Sequence, residues 1–150
     1  MLSKASEYAF QALHFLANIS YRGERVSIGQ IAKAISSPEA FTAKVMQQLV
    51  RKGLVHSVKG VQGGYELSSD QLHSVKLVDV IMAIEGEDFT SKCILGLEEC
   101  SSARLCALHR HVQAVKNRLH TIFQETSLND LVTKNLEVSG LIRAKMIYYP

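Results

Sequence analysis

Two predicted helices separated by a very short turn constrain the fold of this chain more than any other feature. The first spans residues 29–35 and follows Ser27, a residue type that caps helices. The second is predicted to have a serine cap at Ser36-Ser37 and Pro38 in its first turn, and it runs through residue 52 to a glycine. This arrangement indicates a helix-turn-helix.

A glycine-rich β-hairpin is predicted directly after these helices. The β-prone segments 54–58 and 64–68 flank residues 59–63, whose sequence is Lys-Gly-Val-Gln-Gly. A short helix, a turn, a longer helix and a hairpin follow one another in winged helix-turn-helix domains. The predicted fold is therefore mainly α with a small β-hairpin.

Three more segments have helical spacing of apolar residues: 3–20, 77–85 before Gly86, and a long amphipathic pattern from Cys106 to about Glu125. The long helix either pairs with its copy in a homodimer or folds back onto the first helix, and its periodicity allows both. The predicted division is a DNA-binding domain (1–86), a cysteine loop (87–106), and a dimerisation helix with a tail (107–150). The tail has a possible short helix and no assigned role.

Composition indicates a globular chain with one main core. Apolar residues make up 47% and charged residues 21% of the 150 residues. Nine basic and five acidic residues up to Lys76 give a balance of +4, whereas eight basic and nine acidic residues after it give −1. A positive first half suits a surface that faces phosphates. No apolar run is long enough to span a bilayer and no signal peptide is evident, so we expect a cytoplasmic protein.

The predicted second helix of the helix-turn-helix carries candidate DNA-binding residues. Its first turn is where a recognition helix meets base edges in the major groove. We expect Glu39, Ala40, Thr42, Ala43 and Lys44 to face outward, and Phe41, Val45, Met46 and Leu49 to face inward. Together with the turn and the hairpin tip, the candidate DNA-binding set is Ser37, Glu39, Ala40, Thr42, Lys44, Gln47, Lys59 and Gln62, with Gln48 as an alternative to Gln47.

Three cysteines cluster after the predicted winged domain. Cys93, Cys100 and Cys106 have the spacing C-x6-C-x5-C and are the only cysteines of the chain. Three thiols cannot form a paired disulfide framework, and thiolates hold iron-sulfur clusters or zinc. The absence of tight C-x2-C pairs favours a cluster over zinc, and three unligated thiols are the remaining alternative.

Two residues are candidates for a fourth ligand. His109 follows Cys106 by three residues, which places both on one face if the segment is helical. Glu7, in the first helix, competes with it if that helix of a partner subunit reaches the cysteine loop. A surface histidine is the simpler interpretation of His109, because the chain has six histidines.

The chain resembles the winged-helix regulators that include the iron-sulfur cluster regulator IscR, the nitric-oxide sensor NsrR and the cysteine-metabolism repressor CymR. The resemblance covers most of residues 1–130. It is carried by Ser-Glu-Tyr-Ala at 6–9, Ile-Gly-Gln-Ile-Ala at 28–32, Leu-Val-Arg-Lys-Gly-Leu-Val at 49–55, the hairpin 58–67, and the segments 78–81 and 85–86 before the cysteine loop.

The resemblance implies a two-iron or four-iron cluster on Cys93, Cys100 and Cys106, with [2Fe–2S] favoured. IscR-like members imply His109 as the fourth ligand, whereas NsrR-like members imply an acidic residue of the partner's first helix, near the position of Glu7. The chain departs from the family in a first cysteine spacing one residue longer than in IscR. Its hairpin has lysine at 59 and Val-Gln at 61–62 where arginine and Pro-Gly are common.

The leading hypothesis is a homodimeric repressor or dual regulator that binds a double-stranded operator and senses cluster, redox or nitric-oxide status. Within regulators, a metal-free thiol sensor is the alternative. From another class, a cluster-carrier or electron-transfer protein also uses clustered cysteines. No phosphate-binding glycine loop, nucleophile elbow or cleft-like carboxylate pair is evident, so no enzyme is predicted.

Overall fold

The computed structural model describes residues 2–87, 89, 93, 95–96 and 108–133 of the chain. In chain order, the elements of this described part are α1 (Lys4–Ser20), α2 (Ile28–Ala34), α3 (Glu39–Arg51), β1 (His56–Val58), β2 (Gly64–Glu66), α4 (Ser69–Ser74), α5 (Leu77–Glu85), α6 (His109–Glu125) and α7 (Leu128–Thr133). The predicted class is confirmed: the chain is mainly α, with a helix-turn-helix (α2–α3) followed by a two-stranded wing.

Serine caps begin the first two helices. The Ser3 hydroxyl accepts the Ser6 backbone N–H at 3.2 Å, and the Ser27 hydroxyl accepts the Gln30 N–H at 3.3 Å. The side-chain oxygen of Gln30 in turn accepts the Ser27 N–H at 2.7 Å, which completes a capping box. The cap predicted at Ser27 is therefore confirmed, and α2 begins directly after it.

The start of α3 differs from the prediction of a serine cap. Pro38 is itself the N-terminal cap, with an extended ψ of 127° and no side-chain capping bond, and the helix begins at Glu39. Ser36 adopts a left-handed φ of 53°, and the Ser37 N–H donates to the Ala32 carbonyl at 2.9 Å. Backbone hydrogen bonds close the turn. The Ser37 hydroxyl does not cap the helix and instead hydrogen-bonds the Thr42 hydroxyl.

The wing is an antiparallel hairpin that gains a third backbone partner. His56 pairs with Glu66 and Val58 with Gly64. Val26, just before α2, exchanges backbone hydrogen bonds of 3.1 and 2.8 Å with Tyr65. Because this bridge lies on β2, it fixes the base of the wing to the helix-turn-helix.

Both strands are shorter than predicted, and a helix the prediction omitted follows them. Leu54 and Val55 are buried in the core instead of pairing in the sheet. Ser68 and Gln71 form a second capping box that begins α4. The Gln71 amide also donates to the Gly53 carbonyl at 2.9 Å, which joins α4 to the end of α3.

The core lies where α1 meets α3 and α5. Its fully buried side chains come from several elements: Leu13, Leu16, Ile31, Met46, Leu49, Val55, Val80, Ile81 and Leu128. Burying each Leu or Ile side chain contributes about 1.5–3 kcal/mol before entropy is counted. The second helix of the helix-turn-helix, α3, therefore rests on a continuous core.

The chain returns to this core after α6. Leu128, the first residue of α7, is fully buried, and its N–H donates to the Val75 carbonyl at 3.1 Å. The Leu77 N–H donates to the Thr126 carbonyl at 3.0 Å, and these two hydrogen bonds form an antiparallel β-bridge between Lys76 and Ser127. The tail predicted from residue 127 thus begins with a packed helix, and the described residues after α6 belong to the main core.

The long helix begins later than expected. The sequence predicted a helix from Cys106, whereas α6 begins at His109 with Leu108 as its cap, and residue 106 lies outside the described part. Near its other end, the rings of Phe123 and Phe10 lie 5.9 Å apart. No helix among the described residues is long and apolar enough to cross a membrane.

Candidate nucleic-acid interface and cysteine segment

The outer face of α3 carries most of the predicted DNA-binding residues. Glu39, Ala40, Lys44, Gln47 and Gln48 are exposed, and Ala43 is half-buried. On the opposite face, Val45, Met46 and Leu49 are buried as predicted. α3 therefore presents a continuous polar face from its first turn onward.

Thr42 does not belong to this outer face, contrary to the prediction. Its exposed fraction is 0%, and its hydroxyl donates to the Pro38 carbonyl at 2.9 Å. Since that hydroxyl has one proton, the Ser37 hydroxyl donates to Thr42 Oγ1 in their hydrogen bond. Thr42 is thus unable to reach a base edge here, and it ties the half-buried Ser37 to the first turn of α3.

Phe41 is also turned opposite to the prediction. The sequence analysis expected its side chain to face the core, but 39% of the residue is exposed. Its ring packs edge to face against Tyr8 of α1, with 5.7 Å between the ring centroids. This pair joins the N-terminal part of α1 to the first turn of α3.

Glu39 lies against the start of α2. A Cβ placed on Gly29 would lie 3.4 Å from Glu39 Oε2, so the carboxylate occupies the space beside this glycine. A carboxylate near the first turn of a helix is stabilised by the exposed backbone N–H groups there. Gly29 therefore gives Glu39 room between the two helices.

The wing tip exposes three side chains. Lys59, Val61 and Gln62 are all exposed, and Gly60 and Gly63 flank the last two. At the base, the Arg25 Nε lies 2.6 Å from Glu66 Oε2, an ion pair between the α1–α2 loop and β2 that the sequence analysis did not identify. A partly exposed pair of this kind contributes about 0–1 kcal/mol.

Of the three predicted cysteine ligands, only Cys93 lies within the described residues. It is half-buried, and its carbonyl accepts the Gly96 N–H at 3.1 Å. Cys100 and Cys106 lie outside the described residues. Across the described ranges, no three His, Cys, Asp or Glu side chains come together in a group that could hold a metal.

The two candidate fourth ligands lie on different helices. His109 is the first residue of α6 and is half-buried. Glu7 lies in the first turn of α1, where the Lys4 Nζ contacts its Oε2 at 2.5 Å. The hydrogen bond and charge of Glu7 raise the pKa of Lys4 above its ordinary value.

Glu85, the last residue of α5, joins α1 to the helix end directly before the cysteine loop (87–106), called the cysteine segment below; sequence reasoning missed this contact. Its Oε1 accepts the Ser3 backbone N–H at 2.9 Å and the Ser6 hydroxyl at 2.5 Å. Ser6 is completely buried. The only signal in the sequence was a glutamate at the end of a predicted helix, directly before Gly86.

A helix-turn-helix on a packed core, an exposed face on α3, and a glycine-rich wing together define a winged-helix transcription regulator. The chain matches the Rrf2 family, described as iron-dependent transcriptional regulators, over residues 2–134. It belongs to that family, whose members and relatives are regulators rather than enzymes.

Individual relatives cover nearly the whole chain. A protein of Aquifex aeolicus described as an HTH-type transcriptional regulator is 31% identical over 94% of this chain and 96% of its own length. The regulator IscR of Vibrio parahaemolyticus is 28% identical over 92% of this chain and 82% of its own.

Solved structures share the fold. The T. potens IscR has a TM-score of 0.70 at 25% identity, covering 92% of this chain and 90% of that one. CymR, the global cysteine regulator of B. subtilis, has a TM-score of 0.70 at 23% identity, covering 90% of this chain and 98% of that one.

Proposed function

We propose that the protein is a homodimeric, sequence-specific DNA-binding regulator whose operator affinity responds to an iron-sulfur cluster on Cys93, Cys100 and Cys106. One observation carries the proposal: the segment that contains every cysteine of the chain leaves the end of α5, which packs against the recognition helix α3. A change in this segment therefore acts on an element that contacts the DNA-reading helix. A protein that binds chromosomal DNA works where that DNA is, so a cytoplasmic location is part of the proposal.

The DNA-binding half of the proposal rests on α3 and the wing. Lys44 and Gln47 are exposed on α3, and Ala40 leaves the backbone of its first turn open to approach. Lys59 supplies a positive charge beside the wing tip, where a minor groove has a negative potential. Ser37 and Thr42 act on this surface through the helix start, not by touching bases.

The chemistry of the donor set fits a cluster. Three thiolates within 14 residues supply the donors that iron-sulfur clusters use, and half-buried Cys93 lies at a turn closed by the Gly96 N–H. A bound cluster supplies a change in charge on oxidation and a covalent tie between the three cysteines. A two-iron cluster is favoured over a four-iron cluster, following the resemblance to IscR.

For the fourth ligand we favour His109, with Glu7 as the alternative. His109 begins α6, so its backbone is fixed close to the end of the cysteine segment. Glu7 is engaged by Lys4 and would exchange this ion pair for the cluster. A neutral imidazole leaves the centre less negative than a fourth thiolate would.

In the proposed homodimer, one face of α6 forms the interface. Leu108, Val112, Val115, Leu119 and Ile122 follow alternating steps of four and three residues, the spacing of a coiled-coil seam. Leu108, Val115 and Ile122 are 48%, 53% and 40% exposed, whereas Phe123 packs against Phe10 of α1. α6 thus folds back along one face and leaves the other for a second copy.

The test is the absorption spectrum of protein purified without oxygen. We expect sulfur-to-iron charge-transfer bands, and we expect each of Cys93→Ala, Cys100→Ala and Cys106→Ala to lose them, because the chain has no other cysteine. Full colour in one variant would remove that residue from the ligand set. A colourless protein that still binds its operator, and releases it on oxidation, would establish the metal-free thiol regulator instead.

The matched comparison for the fourth ligand is His109→Ala against Glu7→Ala. We expect the histidine variant to lose its cluster faster under identical anaerobic conditions. The reverse order would favour the cross-subunit carboxylate. Operator binding that falls steeply with salt separates a regulator from a cluster carrier in the same preparations.

A further inference from the structure

The apex of the wing is a four-residue turn with two unusual central residues. The Gly63 N–H donates to the Gly60 carbonyl at 2.9 Å, so Val61 and Gln62 occupy the centre of the turn. Glycine, proline, asparagine, aspartate and serine dominate such positions, whereas a β-branched residue is uncommon there. Val61 is fully exposed, so the protein itself does not cover its two methyl groups.

The glycines around the apex make the wing narrow. A Cβ on Gly63 would lie 2.2 Å from the Val58 carbonyl oxygen, and Gly60 has a φ of +107°. Both positions therefore favour glycine, and Val61 and Gln62 are the only side chains between them. A bare hairpin with two side chains at its end fits a groove about 6 Å wide.

We propose that Val61 and Gln62 read the minor groove beside each operator half-site and make the regulator prefer A·T pairs there. This inference rests on the proposed DNA-binding function and assigns a specificity to its wing. It separates the two apex residues from Lys59, which acts by charge alone.

The chemistry of the groove supports this specificity. The floor of the minor groove presents only acceptor atoms at an A·T pair, whereas a G·C pair adds the N2 amino group of guanine. The Gln62 amide can donate to the acceptors that A·T and G·C pairs share, which holds the apex on the groove floor. The stiff Val61 side chain would cover the amino group of a G·C pair and leave its N–H without a partner, which is costly in a closed interface.

The experiment begins with an operator selected by the full-length protein from random duplex DNA. The base pairs under the wing are then changed from A·T to G·C or to inosine·cytosine (I·C). Inosine lacks the N2 amino group, so I·C resembles A·T in the minor groove and G·C in the major groove. We expect the protein to bind A·T and I·C operators within about twofold of each other, and the G·C operator about fivefold or more weakly.

Variants distinguish base-pair preference at Val61 and Gln62 from the charge effect of Lys59. Val61→Ala and Gln62→Ala combined should bring the ratio of A·T to G·C affinities close to one. Lys59→Ala is the matched control: it should weaken binding to all three operators equally and lower the salt slope by about one counterion. All three side chains are exposed, so circular dichroism should show unchanged folding.

Two results would overturn the inference while leaving the proposed function intact. One is I·C binding as weakly as G·C, and the other is an unchanged ratio in the double variant. If the selection yields no preferred sequence at all, the proposed function fails, and the inference fails with it.

Discussion

Thr42 is a polar residue on the buried face of α3, and its environment explains how this helix begins. Positions 42, 45, 46 and 49 follow helical spacing and are all buried. The Thr42 hydroxyl donates to the Pro38 carbonyl and accepts from Ser37, so it ties the capping residue and the residue before it to the first turn of α3. The orientation of the first turn of α3 therefore depends on one buried hydroxyl.

Thr42→Val should destabilise the protein by about 1–3 kcal/mol, because it keeps the shape of the side chain and removes both hydrogen bonds. Urea unfolding measures this change. Thr42→Ser, which keeps the hydroxyl, should lose less, and exposed Gln47→Ala should change stability by less than about 0.5 kcal/mol. A Val variant as stable as the parent would show that the hydroxyl does not hold the turn.

His14 makes stability depend on pH. It is buried in α1, and burial lowers the pKa of His14 below its ordinary value of 6.5. Near and below pH 6.5, His14 binds a proton in the unfolded chain but not in the folded chain. The contribution of neutral His14 to the free energy of unfolding is therefore fully present above pH 6.5, and it is lost as the pH falls towards the pKa of His14 in the folded protein. We expect urea unfolding to show this loss between pH 7.5 and 5.5.

His14→Gln should flatten the pH dependence, whatever it does to stability at pH 7.5, because glutamine does not titrate. The matched control is His73→Gln, which removes an exposed histidine and should leave the slope in place. An equal slope in all three proteins would assign the dependence to other groups.

At the scale of elements, Glu85 connects the end of α5 to the start of α1. Its carboxylate accepts from Ser3 and from buried Ser6, directly before the cysteine segment. α1 in turn meets α3 through Tyr8 and Phe41. The end of α5, directly before the cysteine segment, is thus bonded to a helix that contacts α3.

Glu85→Gln and Ser6→Ala should each destabilise the protein by about 1–2 kcal/mol, because a charged hydrogen bond is weakened or lost. The double variant should lose less than the sum, since both changes act on the same bond. Thermal unfolding with exposed Glu87→Gln as the control measures this. Additive losses would contradict a direct bond between the two side chains.

The sequence predicted the elements whose signals are local. The α2 cap at Ser27, the glycine-rich wing and α5 ending at Gly86 are all confirmed. The helices α4 and α7 have six residues each, too few for periodicity to show. The Ser-x-x-Gln spacing of Ser68 and Gln71 was a local signal for the start of α4 that the prediction missed. The short helix in the tail was predicted without bounds, because the position of α7 depends on tertiary contacts such as the buried side chain of Leu128.

The errors on α3 arose from treating polarity as a guide to exposure. Its spacing already placed residue 42 with the buried positions, but a threonine was assigned to the outside. Phe41 was assigned inward by its apolar ring, although Tyr8 of another helix takes up that ring at the surface. In the cysteine segment, the sequence contains three possible donors, and the role of Cys93, Cys100 and Cys106 as ligands stays a prediction.

At the scale of the whole molecule, the exposed seam of α6 predicts the oligomeric state. Val115→Lys places a charge in the centre of the seam and should convert the dimer to a monomer, because a desolvated unpaired charge is costly. Sedimentation equilibrium measures the mass, and operator affinity should fall with it. Gln124→Lys adds the same charge outside the seam and should leave a dimer. A dimeric Val115→Lys protein would place the interface elsewhere.

The return of the chain to the core after α6 determines how this helix is able to move. α6 has 17 residues and is therefore about 25 Å long. Its C-terminal end is held by the bridge at Ser127 and by buried Leu128, so a tilt of the helix would have its fixed point at that end. A shift of about 2 Å at His109 then equals a tilt of about 5° over this length. In a dimer joined along α6, such a tilt would change the angle between the two wings. The same tilt would then change the affinity of the dimer by different amounts for operators with different half-site spacing.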